Sequence, residues 1–136
     1  MNFHKSFQLN GETFANPNEI IDFSKEISSE IHLFLKDWFS EKRILEVKTS
    51  GSTGLAKTIA IKKEFFINSA MSTAKFLDLK EGTVALMCLP PKYIAGKMML
   101  VRALVLGWHL DIVSPKSNPL ENNDKTYDFS AMVPLQ

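Results

Sequence analysis

The chain has 136 residues, 45% hydrophobic and 23% charged, which bounds it to one domain or part of one with an ordinary globular composition. Its net charge of +1 gives no reason to expect nucleic acid or an acidic membrane surface as a partner. A single cysteine, Cys88, excludes an intrachain disulfide, and its place in an apolar run reads as a small core residue.

The start, Met1-Asn-Phe-His-Lys-Ser-Phe, lacks the apolar stretch of a signal peptide. No segment approaches the roughly 18 uninterrupted apolar residues of a membrane span, so a cytoplasmic location is expected. Residues 5 to 14 read as a short hairpin turning at Asn10-Gly11. Asn16 then caps a helix with Pro17 at its first position and Glu19 three residues after the cap. Ile20, Phe23, Ile27, Ile31, Phe34, Leu35 and Trp38 continue at helical spacing, predicting one amphipathic helix against a core. His32 lies beside that face with no second metal ligand at useful spacing, and reads as structural or solvated.

Ile44 to Lys48 is strand-like, and Thr58 to Lys62 alternates like a second strand. Between them lies Thr49-Ser50-Gly51-Ser52-Thr53-Gly54-Leu55-Ala56-Lys57. Its glycines permit positive φ, and backbone N–H groups beside small hydroxyls can form an anion-binding concavity. Lys57 adds a mobile positive charge. Backbone donors, hydroxyls and an ammonium suit a triphosphate, although a plain polar hairpin turn has the same composition. A Walker loop is the other phosphate-binding alternative. It requires a second glycine where Ala56 stands and a helix opening at Lys57, whereas the pattern here predicts a strand.

Lys63 to Leu77 reads as a helix with Phe66, Ala70, Thr73, Ala74 and Leu77 on one face, ended by a turn at Glu81-Gly82. Thr83 to Leu89 is an apolar run suited to a strand covered on both faces, stopped by Pro90-Pro91. A helix is expected from about Gly96 to Leu106, with Gly107 just past its end. Trp108 to Val113 and Phe129 to Val133 read as strands around a polar loop at 115–125. Alternating strands and helices predict a parallel α/β architecture with right-handed crossovers. Ligands in such sheets bind beyond the carboxyl ends of strands, which is where the turn from Leu89 to Gly96 emerges.

The segment Thr49-Ser50-Gly51-Ser52-Thr53-Gly54-x-x-Lys57 resembles the phosphate loop of the acyl-adenylate-forming (AMP-binding) enzymes, with Ala56 replacing the proline most members carry. Leu89-Pro90-Pro91-Lys92-Tyr93-Ile94-Ala95-Gly96 is similar to the family's Leu-Pro-x-x-His-x-x-Gly segment, with Tyr93 at the aromatic position. The run from Tyr93 to Leu104 most resembles the o-succinylbenzoate–CoA ligase branch, which serves menaquinone synthesis. The resemblance spans residues 43 to 136 and implies part of the large N-terminal α/β domain, with parallel strands, crossover helices and a strand–loop–strand phosphate loop. Residues 1–42 would then be a leading hairpin and amphipathic helix.

The implied activity is ATP-dependent adenylation of a carboxylic acid, followed by transfer to CoA, with Mg²⁺ accompanying ATP. The implied sites are Thr49, Ser50, Gly51, Ser52, Thr53, Gly54 and Lys57 on the ATP phosphates, with Lys57 as the catalytic charge, in a loop mobile enough to close and reopen. Tyr93 and Gly96 would line the acyl pocket. Lys97 could pair with the second carboxylate of o-succinylbenzoate, or be a solvated helix-start lysine. Arg102 could extend its head to solvent, and His109 is given no chemistry. The family's Tyr-Gly-x-Thr-Glu segment, ribose-binding aspartate and C-terminal lysine have no counterpart here, and no Mg²⁺ ligand is identifiable. The reading is therefore of the N-terminal portion of a ligase, with a non-catalytic truncated fragment as the alternative. The chain alone is expected to be inactive, and to self-associate through exposed sheet edges.

Overall fold

The computed structural model describes residues 1–50 and 54–136. Its central sheet has the order β1-β5-β4-β6, formed by β1 (Gln8–Leu9), β5 (His109–Ile112), β4 (Val84–Met87) and β6 (Phe129–Ala131). All three pairings are parallel. A separate antiparallel ribbon joins β2 (Ile44–Thr49) to β3 (Lys57–Lys62). The architecture is α/β with a mostly parallel sheet, as expected from the alternation of strands and helices.

Asn10-Gly11 does form the tight turn, with φ of 49° and 81°. Leu9 and Glu12 exchange backbone hydrogen bonds across it. The hairpin extends no further, because Gln8 and Leu9 are taken up as an edge of the parallel sheet, opposite His109 and Leu110. Asn10 prolongs that pairing: its Oδ1 accepts from the Ile112 N–H at 2.8 Å.

The single helix expected over the Pro17–Trp38 stretch is two, α1 (Pro17–Ser24) and α2 (Ser29–Trp38). Two serines cause the break, since serine hydroxyls offer the backbone local partners other than the helix ladder. Ser24 Oγ donates to the Ile21 carbonyl at 2.6 Å, and Ser28 Oγ accepts from the Ile31 N–H as the cap of α2. His32 Nδ1 lies 3.0 Å from the Ile21 carbonyl oxygen and 3.3 Å from Ser24 Oγ. It is a structural brace between the two helices.

Helix α3 (Lys63–Leu77) has the expected bounds. It buries Phe66 and Ala70, but Leu77 is exposed, so the buried stripe is shorter than its apolar pattern. Helix α4 (Ile94–Leu106) starts two residues before Gly96 and ends at Gly107, which has φ of 76°. It packs against α3, β2, β4 and β5, so it is apolar on nearly every side. The core around it includes Trp38, Trp108, Phe7, Phe66 and Leu100, all fully buried.

Candidate functional site

The β2–β3 ribbon carries the phosphate-loop sequence. Leu45 and Val47 alternate inward while Glu46 and Lys48 face out, the pattern of a strand with one covered face. Pairing runs from Ile44↔Lys62 to Thr49↔Lys57, so residues 50–56 connect antiparallel strands. No helix opens at Lys57; the next begins at Lys63. That removes the structural requirement of a Walker loop. Thr49 is half-buried, Ser50 and Lys57 are exposed, and Gly54 has φ of 84° with open space around it. Gly51, Ser52 and Thr53, and the expectations placed on them, lie outside the described residues.

The second stretch leaves the carboxyl end of β4. Ala85 through Leu89 are buried, and Tyr93 is the cap residue just before α4, its N–H on the Pro90 carbonyl at 3.3 Å. Gly96 packs directly beneath that turn. A Cβ there would run into the Pro90 carbonyl and approach the Leu89 oxygen to 3.2 Å. Glycine is thus required by close approach. The two stretches meet: Lys48 and Tyr93 form an isolated parallel bridge. Beside it a cavity of about 340 Å³ is lined by Ser50 from the loop and by Leu89, Pro90, Tyr93 and Gly96 from the turn. Pro115, Lys116 and Ser117 after β5, and Val133, Leu135 and Gln136 after β6, complete it. It sits beyond the carboxyl ends of three parallel strands, where ligands bind in such sheets.

Lys97 does not line this cavity. Its Nζ turns back to donate to the carbonyls of Pro91 at 2.8 Å and Lys92 at 2.9 Å. It also lies 5.8 Å from the Phe34 ring centroid, beside a different hollow. Burial pushes its ammonium below the ordinary lysine range, against the nearby Glu30 carboxylate. Arg102 does not reach freely into solvent either. It is half-buried over the Phe129 ring, its Nε has no hydrogen-bond partner among the described residues, and burial lowers its pKa. Cys88 is a buried thiol, 3.6 Å from both Ser130 Oγ and the Ala131 carbonyl oxygen.

Gln136 carries a role that periodicity and motif could not signal. Its Nε2 donates to the Cys88 carbonyl at 2.9 Å and to the Lys116 carbonyl at 2.8 Å. Its Oε1 accepts from the Val133 N–H at 3.1 Å. One carboxamide therefore ties together the segments that leave β4, β5 and β6.

Among the described residues, no group of three or more His, Cys, Asp or Glu is placed to hold a metal ion. No helix among them is long and apolar enough to cross a membrane.

No protein-family model matches the chain, and no curated protein does. Among solved structures it is similar to an acyl-CoA synthetase (AMP-forming)/AMP-acid ligase II-like protein from Dyadobacter fermentans, with a TM-score of 0.73 and 42% sequence identity. The alignment covers 79% of this chain and 31% of that one, so the chain spans less than a third of that structure's length. Identity at this level joins sequence to fold and supports the AMP-forming acyl-adenylate superfamily.

Proposed function

We propose that this chain is the N-terminal portion of an ATP-dependent acid–CoA ligase, a cytoplasmic enzyme that activates a small carboxylic acid. The carrying observation is the shared cavity, in which Ser50 of the phosphate-loop sequence meets Tyr93 and Gly96 of the acyl-pocket sequence. In the proposed reaction a carboxylate oxygen attacks the α-phosphorus of ATP and pyrophosphate leaves. The thiol of CoA then attacks the acyl carbon, AMP departs, and the thiol proton is lost to solvent. Charge accumulates on the departing pyrophosphate, where fixed donors are most effective. Thr49, Ser50, Gly51, Ser52, Thr53 and Gly54 are proposed to supply those donors, and Lys57 the neutralising charge. Mg²⁺ would accompany ATP and lower the charge on its phosphates.

The proposed acyl substrate is o-succinylbenzoate, which would place the enzyme in menaquinone synthesis. The test is pyrophosphate release by the full-length protein that carries this chain, with o-succinylbenzoate, fatty acids and amino acids compared. Much faster release with o-succinylbenzoate is expected. Equal or faster turnover of a fatty acid would defeat the substrate assignment and leave the ligase class standing. Absence of release with every acid would defeat both.

A further inference from the structure

Each segment that leaves the sheet around the cavity runs into proline: Pro90 and Pro91 after β4, Pro115 after β5 and Pro134 after β6. Proline has no N–H with which to continue a ladder. Past the strand ends the Val113 N–H reaches the Met87 carbonyl at 3.0 Å, and among the described residues no later backbone hydrogen bond joins the three segments. The Gln136 side chain takes over at that point. Its Nε2 bonds the Cys88 carbonyl after β4 and the Lys116 carbonyl after β5, and its Oε1 bonds the Val133 N–H after β6. A carboxamide suits this place because it carries two N–H donors and an acceptor on one planar group. Gln136 is half-buried and itself lines the cavity, as do Lys116, Val133 and Leu89, the residue after Cys88.

We infer that Gln136 is a positioning residue for the acid bound in this cavity: its carboxamide sets the spacing of the three walls formed after β4, β5 and β6. The inference rests on the ligase reading and adds to it a residue outside both motif segments. Gln136 acts through the walls, not on the reacting atoms. Without its bonds the proline-bearing segments have no polar link to one another beyond the strand ends, and the pocket loses its fixed width. None of the three bonded residues belongs to the β2–β3 ribbon, so the loss falls on the acid and spares the ATP phosphates. A pocket held in its binding shape before the ligand arrives binds more tightly, because the ordering cost is already met.

The experiment is steady-state pyrophosphate release by the full-length protein that carries this chain, with acid and ATP varied separately. The acid is whichever of o-succinylbenzoate, fatty acids and amino acids the unmodified protein turns over fastest, so the test does not depend on the substrate assignment. Gln136→Met, similar in length but without the three bonds, should raise KM for the acid roughly tenfold, in line with the loss of two donated hydrogen bonds, and leave KM for ATP unchanged. Gln136→Glu keeps the acceptor and sets a carboxylate against two carbonyls, so its KM for the acid should rise as well. Once protonated, the introduced carboxyl regains one O–H donor. The ratio of its KM to that of the unmodified protein should therefore fall as the pH is lowered, whereas the ratio for Gln136→Met should stay flat. A merely structural role would give no such recovery. An equal rise in both KM values, a fall in kcat alone, or a pH-independent ratio for Gln136→Glu overturns the positioning role and leaves the ligase reading standing. Absence of pyrophosphate release from the unmodified protein with every acid overturns the ligase reading and this inference together.

Discussion

Lys48 and Tyr93, far apart in sequence, are joined by a parallel β-bridge. Lys48 is next to the last residue of β2, and Tyr93 is the residue from which α4 departs. The bridge therefore docks the ribbon carrying the phosphate-loop sequence onto the turn that walls the cavity.

Lys57→Ala should lower pyrophosphate release in the full-length protein by roughly 10²–10³-fold, the usual effect of removing one group that stabilises transition-state charge. Lys57 is exposed at the start of β3, so the melting temperature should stay unchanged. Parallel rate and melting measurements check this. An unaltered rate would remove Lys57 from the chemistry.

Gly96→Ala should destabilise the chain by roughly 1–3 kcal/mol through overpacking against the Pro90 carbonyl. Gly82→Ala is the control. Its φ of 81° imposes backbone strain of about 1 kcal/mol, but nothing lies near the added methyl group. Urea unfolding of both variants separates the causes. A Gly96→Ala variant no weaker than the control would refute the close approach.

Stability should rise with pH on the alkaline side and then fall. Burial holds Lys63 and Lys97 below the ordinary value of 10.5. Between the lowered values and 10.5 the unfolded chain binds more protons than the folded one, so raising the pH favours folding. Lys125 and Tyr127 act oppositely. The Asp111 hydrogen bond raises the first, and burial chiefly raises the second from 10.0. Above about pH 10 the folded chain binds more protons through these two groups, and stability falls. Melting temperature against pH tests the window, and Lys97→Met should flatten the rise. An undiminished slope in that variant would mean that the burial of Lys97 does not act on stability.

The 136-residue chain is expected to self-associate. Strand β6 pairs only with β4 among the described residues, leaving its other edge available for pairing. Phe76, Leu135 and Leu55 are 88%, 81% and 78% exposed. Sedimentation over a concentration series should show a rising weight-average mass. A monomer throughout would show that the edge and these side chains do not drive association.

Local chemistry made much of this protein legible from its residues. Asn10-Gly11 dictates a tight turn because both positions need positive φ, and Gly107 ends α4 for the same reason. The alternation after Lys57 predicted a strand, and that strand separates this loop from a Walker motif. The stretches at 49–57 and 89–96 were legible as motifs, yet only tertiary structure brings Ser50 beside Tyr93. Periodicity could not divide α1 from α2, since apolar spacing continues through a break set by Ser24 and Ser28 hydroxyls. Nor could it show that Lys97 folds onto its own turn while Lys116 and Gln136 reach the cavity. Those outcomes depend on which loops the parallel sheet gathers at its carboxyl edge, and a pattern confined to neighbouring residues carries no record of that meeting.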